Sequence, residues 1–438
     1  MARTLYEIAA TRTLVDQSNS VFRRDLLGES KAKANLKCWT KNFSNFYRSG
    51  YKSSSMRQIS APKRGGWRRT IALELSDQVY YSWLILRMLR TSNSVNPDVS
   101  FAYNFLNSSN RYWIKNQFSA HIRWKKFAER SKTIGEGYKF TCVADIQEFY
   151  PNISLTTLED DLAELGIQGR LVKEVTTLLD TWSKISPGLP QGYTPSHWLG
   201  ETYLGPIDTS LIENQIPHIR YLDDFHIFAD SEAAIDESLQ FLKTLCGMRG
   251  LSINSKKVSK FESASPPKTV QNLNYGNLGS RVIPEKCSPG TAERIKSGGK
   301  VEKHELRQFL RASFRTSPSQ RGAQSSHVLE HYPWIYGVLC FELAISGDPK
   351  LPIVQILEAP GVGLYPKYRV LLAAIRHGIH LPDYCLKRLY GQEWYIDEAI
   401  AFYHLWMDGK TEENPARRPG TAERKVRGLK LANPFQNL

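Results

Sequence analysis

Ile219-Arg-Tyr-Leu-Asp-Asp-Phe-His-Ile-Phe228 sets the frame for the whole chain. Ile219, Tyr221, Phe225, Ile227 and Phe228 are strand formers around the adjacent acids Asp223 and Asp224, without helical spacing and without Gly or Pro. The pattern predicts a β-hairpin with two carboxylates at its tip. Like charges there repel, and desolvation raises the cost, so such a pair persists where it stays wet or binds a divalent cation. A solvated Asp-Asp turn is the ordinary alternative, and the apolar flanks weigh against it.

A second acidic position lies upstream. Lys139-Phe-Thr-Cys-Val-Ala-Asp-Ile146 is an apolar, β-rich run ending in Asp145, and Pro151 stops the segment that follows. A lone Asp at a strand end is usually a cap. In a chain that also carries the hairpin pair, it supplies the third carboxylate of a two-metal site, whose ions sit about 3.5–4 Å apart and clamp both oxygens of an in-line phosphoryl displacement.

With those residues in view the chain resembles the reverse transcriptases. Tyr221-Leu-Asp-Asp224 looks like their YxDD hairpin, Asp145-Ile-Gln-Glu-Phe-Tyr-Pro-Asn-Ile153 like their first catalytic strand, and Gly188-Leu-Pro-Gln-Gly-Tyr-Thr-Pro-Ser196 like their LPQG loop, in the family's order. Each motif alone is weak, and the ordered set is specific. The resemblance implies an α+β right-hand polymerase with fingers, a palm of antiparallel sheet plus helices, and a helical thumb. It also implies RNA-directed DNA synthesis, with Asp145, Asp223 and Asp224 as catalytic ligands of two Mg²⁺ ions.

Further roles come from the same resemblance. Tyr150, five places beyond Asp145, fits the aromatic that lies against the nucleotide sugar and excludes a 2′-hydroxyl, with ordinary core packing as its alternative. Gln191 and Gly192 would lie near the incoming nucleotide and template base; Thr-Pro-Ser stands where many relatives have Ser-Pro, which leaves the role of Ser196 open. Leu251-Ser-Ile-Asn-Ser-Lys-Lys-Val258 looks like the family's small strand whose lysine protonates the leaving pyrophosphate, placing Lys257 there, against a reading as surface charge.

Composition fits a polyanion partner. Lys and Arg number 58 against 43 Asp and Glu, a net charge of +15, and 21 Tyr, 18 Phe and 10 Trp are mixed among them. Cys38, Cys142, Cys246, Cys287, Cys340 and Cys385 are scattered without a CxxC or Cys/His cluster, as in reduced core positions of a cytosolic protein. No signal core opens the chain, and no apolar run approaches the roughly 18 residues of a membrane span, so the expected setting is the cytoplasm, with no membrane partner.

Taken in order, residues 1–50 carry apolar positions at helical spacing and form an N-terminal helical extension, where Arg23, Arg24, Lys31, Lys33 and Lys37 face either RNA or solvent. Residues 56–73 read as a hairpin about a Lys-Arg-Gly-Gly turn, presenting Lys63, Arg64, Arg68 and Arg69. Such a tip suits a triphosphate, with a plain basic turn on a basic protein as the ordinary alternative, and its place ahead of the catalytic strand resembles the fingers hairpin, which assigns nucleotide contact to Lys63 and to Arg68 or Arg69. Residues 77–130 read as an apolar helix, a Ser/Asn-rich loop and a basic-aromatic helix, with Arg111, Tyr112, Trp113 and Lys115 suited to template stacking or to core packing. Helices are expected over 155–183 and around Ile235 to Leu245.

Past Pro284 helices alternate with Pro/Gly breaks. Pro-Gly-Thr-Ala-Glu-Arg occurs at 289–294 and 419–424, each copy a helix start capped by its Thr. Arg307, Arg311, Arg315 and Arg321 near Phe309 and Phe314 make either a nucleic-acid face or a solvated basic helix face, and the basic segment 417–430 suggests order only on RNA. The expected division is 1–50 extension, 51–285 fingers and palm, 286–438 thumb and basic extension.

No integrase, ribonuclease H or His-Asn-His nuclease segment is recognisable. The compact plan resembles the prokaryotic unknown-group and abortive-infection enzymes, which implies antiphage defence with a structured non-coding RNA as template, dNTPs as substrate and DNA as product; no protein partner is specified. A retron enzyme and template-independent or protein-primed synthesis are the alternatives. An RNA-binding scaffold is disfavoured because all three carboxylates are present, and a viral RNA-dependent RNA polymerase because that family usually has Gly where Tyr221 stands.

Overall fold

The computed structural model describes residues 5–18, 40–41, 51–91 except 55, 96, 98–102, 120–266, 287–313, 317–344 and 349–407. They fall into two compact units: one holds the described residues before 59 and those from 70 to 266, the other holds 59–69 and the described residues after 286. The fold is α+β.

The first unit is built on a four-stranded antiparallel sheet. Its strands are β3 (Phe140–Asp145), β4 (His218–Tyr221), β5 (Asp224–Ala229) and β6 (Ser259–Glu262), in the order β4-β5-β3-β6; β1 (Arg57–Lys63) and β2 (Gly66–Ala72) form a separate hairpin. Around the sheet run α1 (Leu5–Ser18), α2 (Leu75–Met88), α3 (Ala120–Gly135), α4 (Leu155–Glu164), α5 (Gly169–Ser183), α6 (Thr194–Glu213) and α7 (Glu232–Met248). The apolar run of β5 follows from burial on both faces. Ile219, His226 and Phe228 turn toward Phe127 of α3, strand alternation turns Phe225 and Ile227 the other way, and all six are buried. Each such apolar side chain contributes about 1.5–3 kcal/mol. α7 packs on β3 and β5 and begins at Ser231, whose hydroxyl accepts from Ala234 N at 3.2 Å.

The second unit is helical beyond its part of the hairpin. α8 (Pro289–Lys296), α9 (Lys303–Ser313), α10 (Pro318–His331), α11 (Tyr336–Ala344), α12 (Lys350–Glu358), α13 (Leu364–Arg376), α14 (Asp383–Leu389) and α15 (Trp394–Met407) pack chiefly as α10 on α12 and α13 on α15.

Several expectations need correction. The helical stretch 155–183 is two helices, because Gly166 adopts φ 72° and ends α4 with a left-handed residue. Ser288, not Thr291, caps α8: its hydroxyl accepts from Thr291 N at 3.2 Å. Arg321 is buried within α10 and so lies on no nucleic-acid face, while Arg307 and Arg311 are half-buried. Cys142, Cys246 and Cys385 are core residues, whereas Cys287 and Cys340 are only partly covered. Lys257 lies in a 3-10 turn, Ser255–Lys257, ahead of β6 rather than in a strand. The readings of Arg23, Arg24, Lys31, Lys33, Lys37, Cys38, Arg111, Tyr112, Trp113, Lys115, Phe314 and Arg315, of the second hexapeptide and of the basic tail fall outside the described residues.

Candidate active site

The acidic hairpin turns tightly. β4 ends at Tyr221 and β5 begins at Asp224, so Leu222 and Asp223 make the turn, with Leu222 at φ 56°. A residue with a Cβ in that region costs about 1–2 kcal/mol, and the surroundings over-determine it. Ile146 N donates to Asp223 O at 3.1 Å, Arg220 Nη1 donates to Leu222 O at 3.4 Å, and the Tyr221 ring lies edge-on to Trp124 with centroids 4.9 Å apart.

Behind the turn is a buried ionic cluster. Arg220 is fully buried, a position that no unpaired guanidinium would occupy. Asp208 of α6 accepts from its Nε at 2.8 Å and its Nη2 at 2.7 Å, and Glu201 pairs with Nη1 at 2.6 Å. Ser100 donates to Glu201 at 2.7 Å, and His218 Nε2 lies 3.5 Å from Asp208. Burial pushes both carboxyls up. In Asp208 the Arg220 charge and the bonds from His218 and Arg220 outweigh it and leave the group below its ordinary value; in Glu201 burial wins.

In front of the turn the charges do not balance. The register of β3 against β5 sets Asp145 directly opposite Asp224, with Asp223 adjacent. Asp224 is pushed up to about 8 by burial first and then by the charges of Asp223 and Asp145, with Lys257 pulling the other way. Lys257 Nζ sits 2.7 Å from Asp145 Oδ1. Asn254 N donates to Asp145 O at 2.8 Å, which ties that turn to the end of β3. As the side chains stand, no three His, Cys, Asp or Glu among the described residues converge into a ready-made cage. The donor set is nevertheless all carboxylate and in charge excess, which fits a hard divalent cation such as Mg²⁺ or Mn²⁺.

The Gly188 loop is seated against Tyr150. Gly188 has φ 66°, and a Cβ there would run into the Tyr150 carbonyl and lie 2.8 Å from the Pro151 carbonyl. Leu189 N donates to that Tyr150 oxygen at 2.9 Å. Ser196, whose role was open, closes the loop by donating to Pro190 O at 2.7 Å, with Tyr81 OH 3.2 Å away. Gln191 is gripped through its main chain, its carbonyl accepting from Thr70 Oγ1 at 3.1 Å, and Gly192 is exposed at φ 92°. Tyr193 OH donates to Ile71 O at 2.8 Å and accepts from Leu73 N at 3.0 Å. Tyr150 itself is nearly buried, and its hydroxyl is hydrogen-bonded to His197 Nδ1.

Lys63, Arg68 and Arg69 are exposed on the β1–β2 hairpin, as is Trp67. Within the second unit Arg64 makes a two-pronged pair with Glu302, at 2.8 and 2.6 Å. The tip residues and the carboxylates belong to different compact units.

Arg220, Glu201, Asp208 and His197 were not singled out from the sequence. One signal was legible: Glu201 and Asp208 stand seven apart, on one face of a helix otherwise rich in apolar residues, where two acids need a buried cation.

No helix among the described residues is long and apolar enough to cross a membrane. No curated protein matches the chain. Solved structures similar to it include telomerase from Candida tropicalis in complex with a TWJ fragment of telomeric RNA, at 12% identity over 84% of this chain and 67% of that one, with a TM-score of 0.33. Telomerase from Candida albicans in complex with the same kind of fragment is similar at 12% identity over 86% and 70%, also with a TM-score of 0.33. Superpositions that loose do not establish a shared fold. The family model described as reverse transcriptase (RNA-dependent DNA polymerase) matches residues 60–282, more than half of the 438. The chain therefore belongs to the reverse transcriptase family and is an RNA-directed DNA polymerase.

Proposed function

We propose that this enzyme extends a primer by attack of its 3′-hydroxyl on the α-phosphate of a dNTP opposite an RNA template, with Asp145, Asp223 and Asp224 holding two Mg²⁺ ions. The observation that supports it best is the register that puts Asp145 opposite Asp224, where the acidic neighbours drive Asp224 above the usual carboxylate range. Bound there, the cations would stabilise the attacking and leaving oxygens of the displacement. Asp145 and Asp224 are fixed by strand pairing and Asp223 by the turn, so the chain supplies positioning in advance. Tyr150 lies against the sugar and excludes a 2′-hydroxyl. Gln191 and Gly192 approach the nucleotide and template base, and Lys63 with Arg68 or Arg69 neutralises the triphosphate. Lys257, already within reach of Asp145, gives a proton to the leaving pyrophosphate.

In this reading residues 1–50 are an N-terminal extension, 51–285 fingers and palm, and 286–438 thumb and basic extension. The setting is the bacterial cytoplasm, and the template is a structured non-coding RNA used in antiphage defence. That rests on the resemblance to unknown-group and abortive-infection enzymes and on the net charge of +15.

The test is to isolate the protein with its co-purifying nucleic acid, supply Mg²⁺ and labelled dNTPs, and sequence the product beside an Asp223→Ala, Asp224→Ala control. DNA complementary to one bound RNA and absent from the control is expected. Homopolymeric or random DNA would replace templated copying with terminal transfer, and equal product from the control would sink the assigned carboxylates.

A further inference from the structure

We propose that His197 is the positioning residue that sets how strictly this polymerase rejects ribonucleotides, by holding the Tyr150 ring in place. The inference rests on the reading of Tyr150 as the residue against the sugar, and it adds the means by which that ring is held.

Tyr150 is fixed from three directions. Its carbonyl accepts from Leu189 N at 2.9 Å, which anchors its main chain to the loop carrying Gln191. Below it the absence of a side chain at Gly200 makes room: a Cβ there would lie 3.0 Å from the Phe149 ring and 3.7 Å from the Tyr150 ring. The third hold is the hydroxyl, hydrogen-bonded to His197 Nδ1, with the two rings edge to face and their centroids 5.5 Å apart. A ring that rejects a substrate by contact needs only its carbons. The hydroxyl adds an anchor at the far end, so the ring cannot rotate about χ1 without breaking a bond.

His197 is itself a rigid anchor. It lies on α6 between Ser196, bonded to Pro190 O and close to Tyr81 OH, and the fully buried Trp198. Burial first, and then the charge of Arg123, hold its imidazole well below the ordinary value, at about 3, so at neutral pH it stays neutral with one N–H and one lone pair. Arg123 also bonds the Tyr221 hydroxyl. Displacement of the ring by a fraction of an ångström would open room for a 2′-hydroxyl.

The experiment is single-nucleotide incorporation by the full chain on a defined RNA template and DNA primer, comparing kcat/KM for GTP with that for dGTP. His197→Leu is expected to raise the ribonucleotide-to-deoxynucleotide ratio about five- to tenfold, the worth of one positioning hydrogen bond. The rise should come from a better KM for GTP, with kcat for dGTP held within about threefold, whereas general damage would depress both substrates together. Tyr150→Phe removes the same bond from the other side and reads it independently should His197→Leu fail to fold. The double variant should relax discrimination no further than either single one. His197→Asn, whose amide offers both a donor and an acceptor near Nδ1, should recover most of the wild-type ratio. Relaxed discrimination in Tyr150→Ala with unchanged ratios in His197→Leu and Tyr150→Phe overturns the role of His197 and leaves the gate. An unchanged ratio in Tyr150→Ala removes the gate reading, and the inference falls with it.

Discussion

The two ends of one short hairpin treat charge in opposite ways. On the inner side of β4, Arg220 is sealed from water and matched to Asp208 and Glu201 at 2.6–2.9 Å, with Ser100 and His218 completing the shell. Three residues further on, Asp145, Asp223 and Asp224 are crowded together, with Lys257 paired to Asp145, and Asp224 is driven far above the usual carboxylate range by burial and by its acidic neighbours. The fold neutralises the buried charges behind the turn and crowds like charges in front of it. A buried ion pair is a poor source of stability, but a balanced cluster specifies one geometry. Here it holds the turn on which the unbalanced set stands.

The comparison can be broken from either side. Asp224→Asn should abolish polymerisation, by about a thousandfold or more, since in the proposed mechanism several kcal/mol of transition-state stabilisation depend on the acidic set. Chemical denaturation of the same variant should show no loss of stability, because it removes a repelling charge. Arg220→Leu should strike stability first: with Asp208 and Glu201 left buried and unpaired, it should fall by about 3–5 kcal/mol in a urea titration, and activity should fall somewhat further than the folded fraction because the turn loses the Arg220 bond to Leu222 O. Gly188→Ala should cost about 1–3 kcal/mol, from a left-handed backbone and a clash with the Tyr150 carbonyl, with dNTP KM raised as the Gln191 loop shifts.

The smallest effect sharpens the comparison through pH. The folded value for Asp224, about 8, lies above the ordinary 3.8, so between those limits the folded state binds more protons than the unfolded one. The stabilisation is complete below about pH 4 and is lost as pH rises toward 8. Mg²⁺ should restore it, raising the melting temperature by about 2–4 °C near pH 8 and by less near pH 5. Asp224→Asn should flatten both trends in a thermal-shift series.

Much of this was legible because it is local. The hairpin, the strand ending in Asp145 and the abrupt loop at Gly188 are written in alternation, strand formers and turn residues within a few positions. The Arg220 cluster is not local: Ser100, Glu201, Asp208 and Arg220 meet only in three dimensions, and Arg220 read as one more basic residue in a basic chain. The same holds for Arg321, which spacing placed on a charged face and packing placed inside. His197 was silent because its role exists only through Tyr150. The split at Gly166 shows the converse, where one glycine outweighed a good leucine periodicity.

The strand order also bears on how the chain must be made. β3 occupies the middle of the sheet, yet both strands that cover its edges, β5 and β6, are synthesised later. Until residues 224–262 leave the ribosome, an apolar strand waits with both backbone edges open, the state most prone to pairing with another nascent chain. Fragments ending before β5 should therefore accumulate as aggregates, and expression yield should respond more to translation speed and chaperone supply over this interval than to the stability of the finished protein.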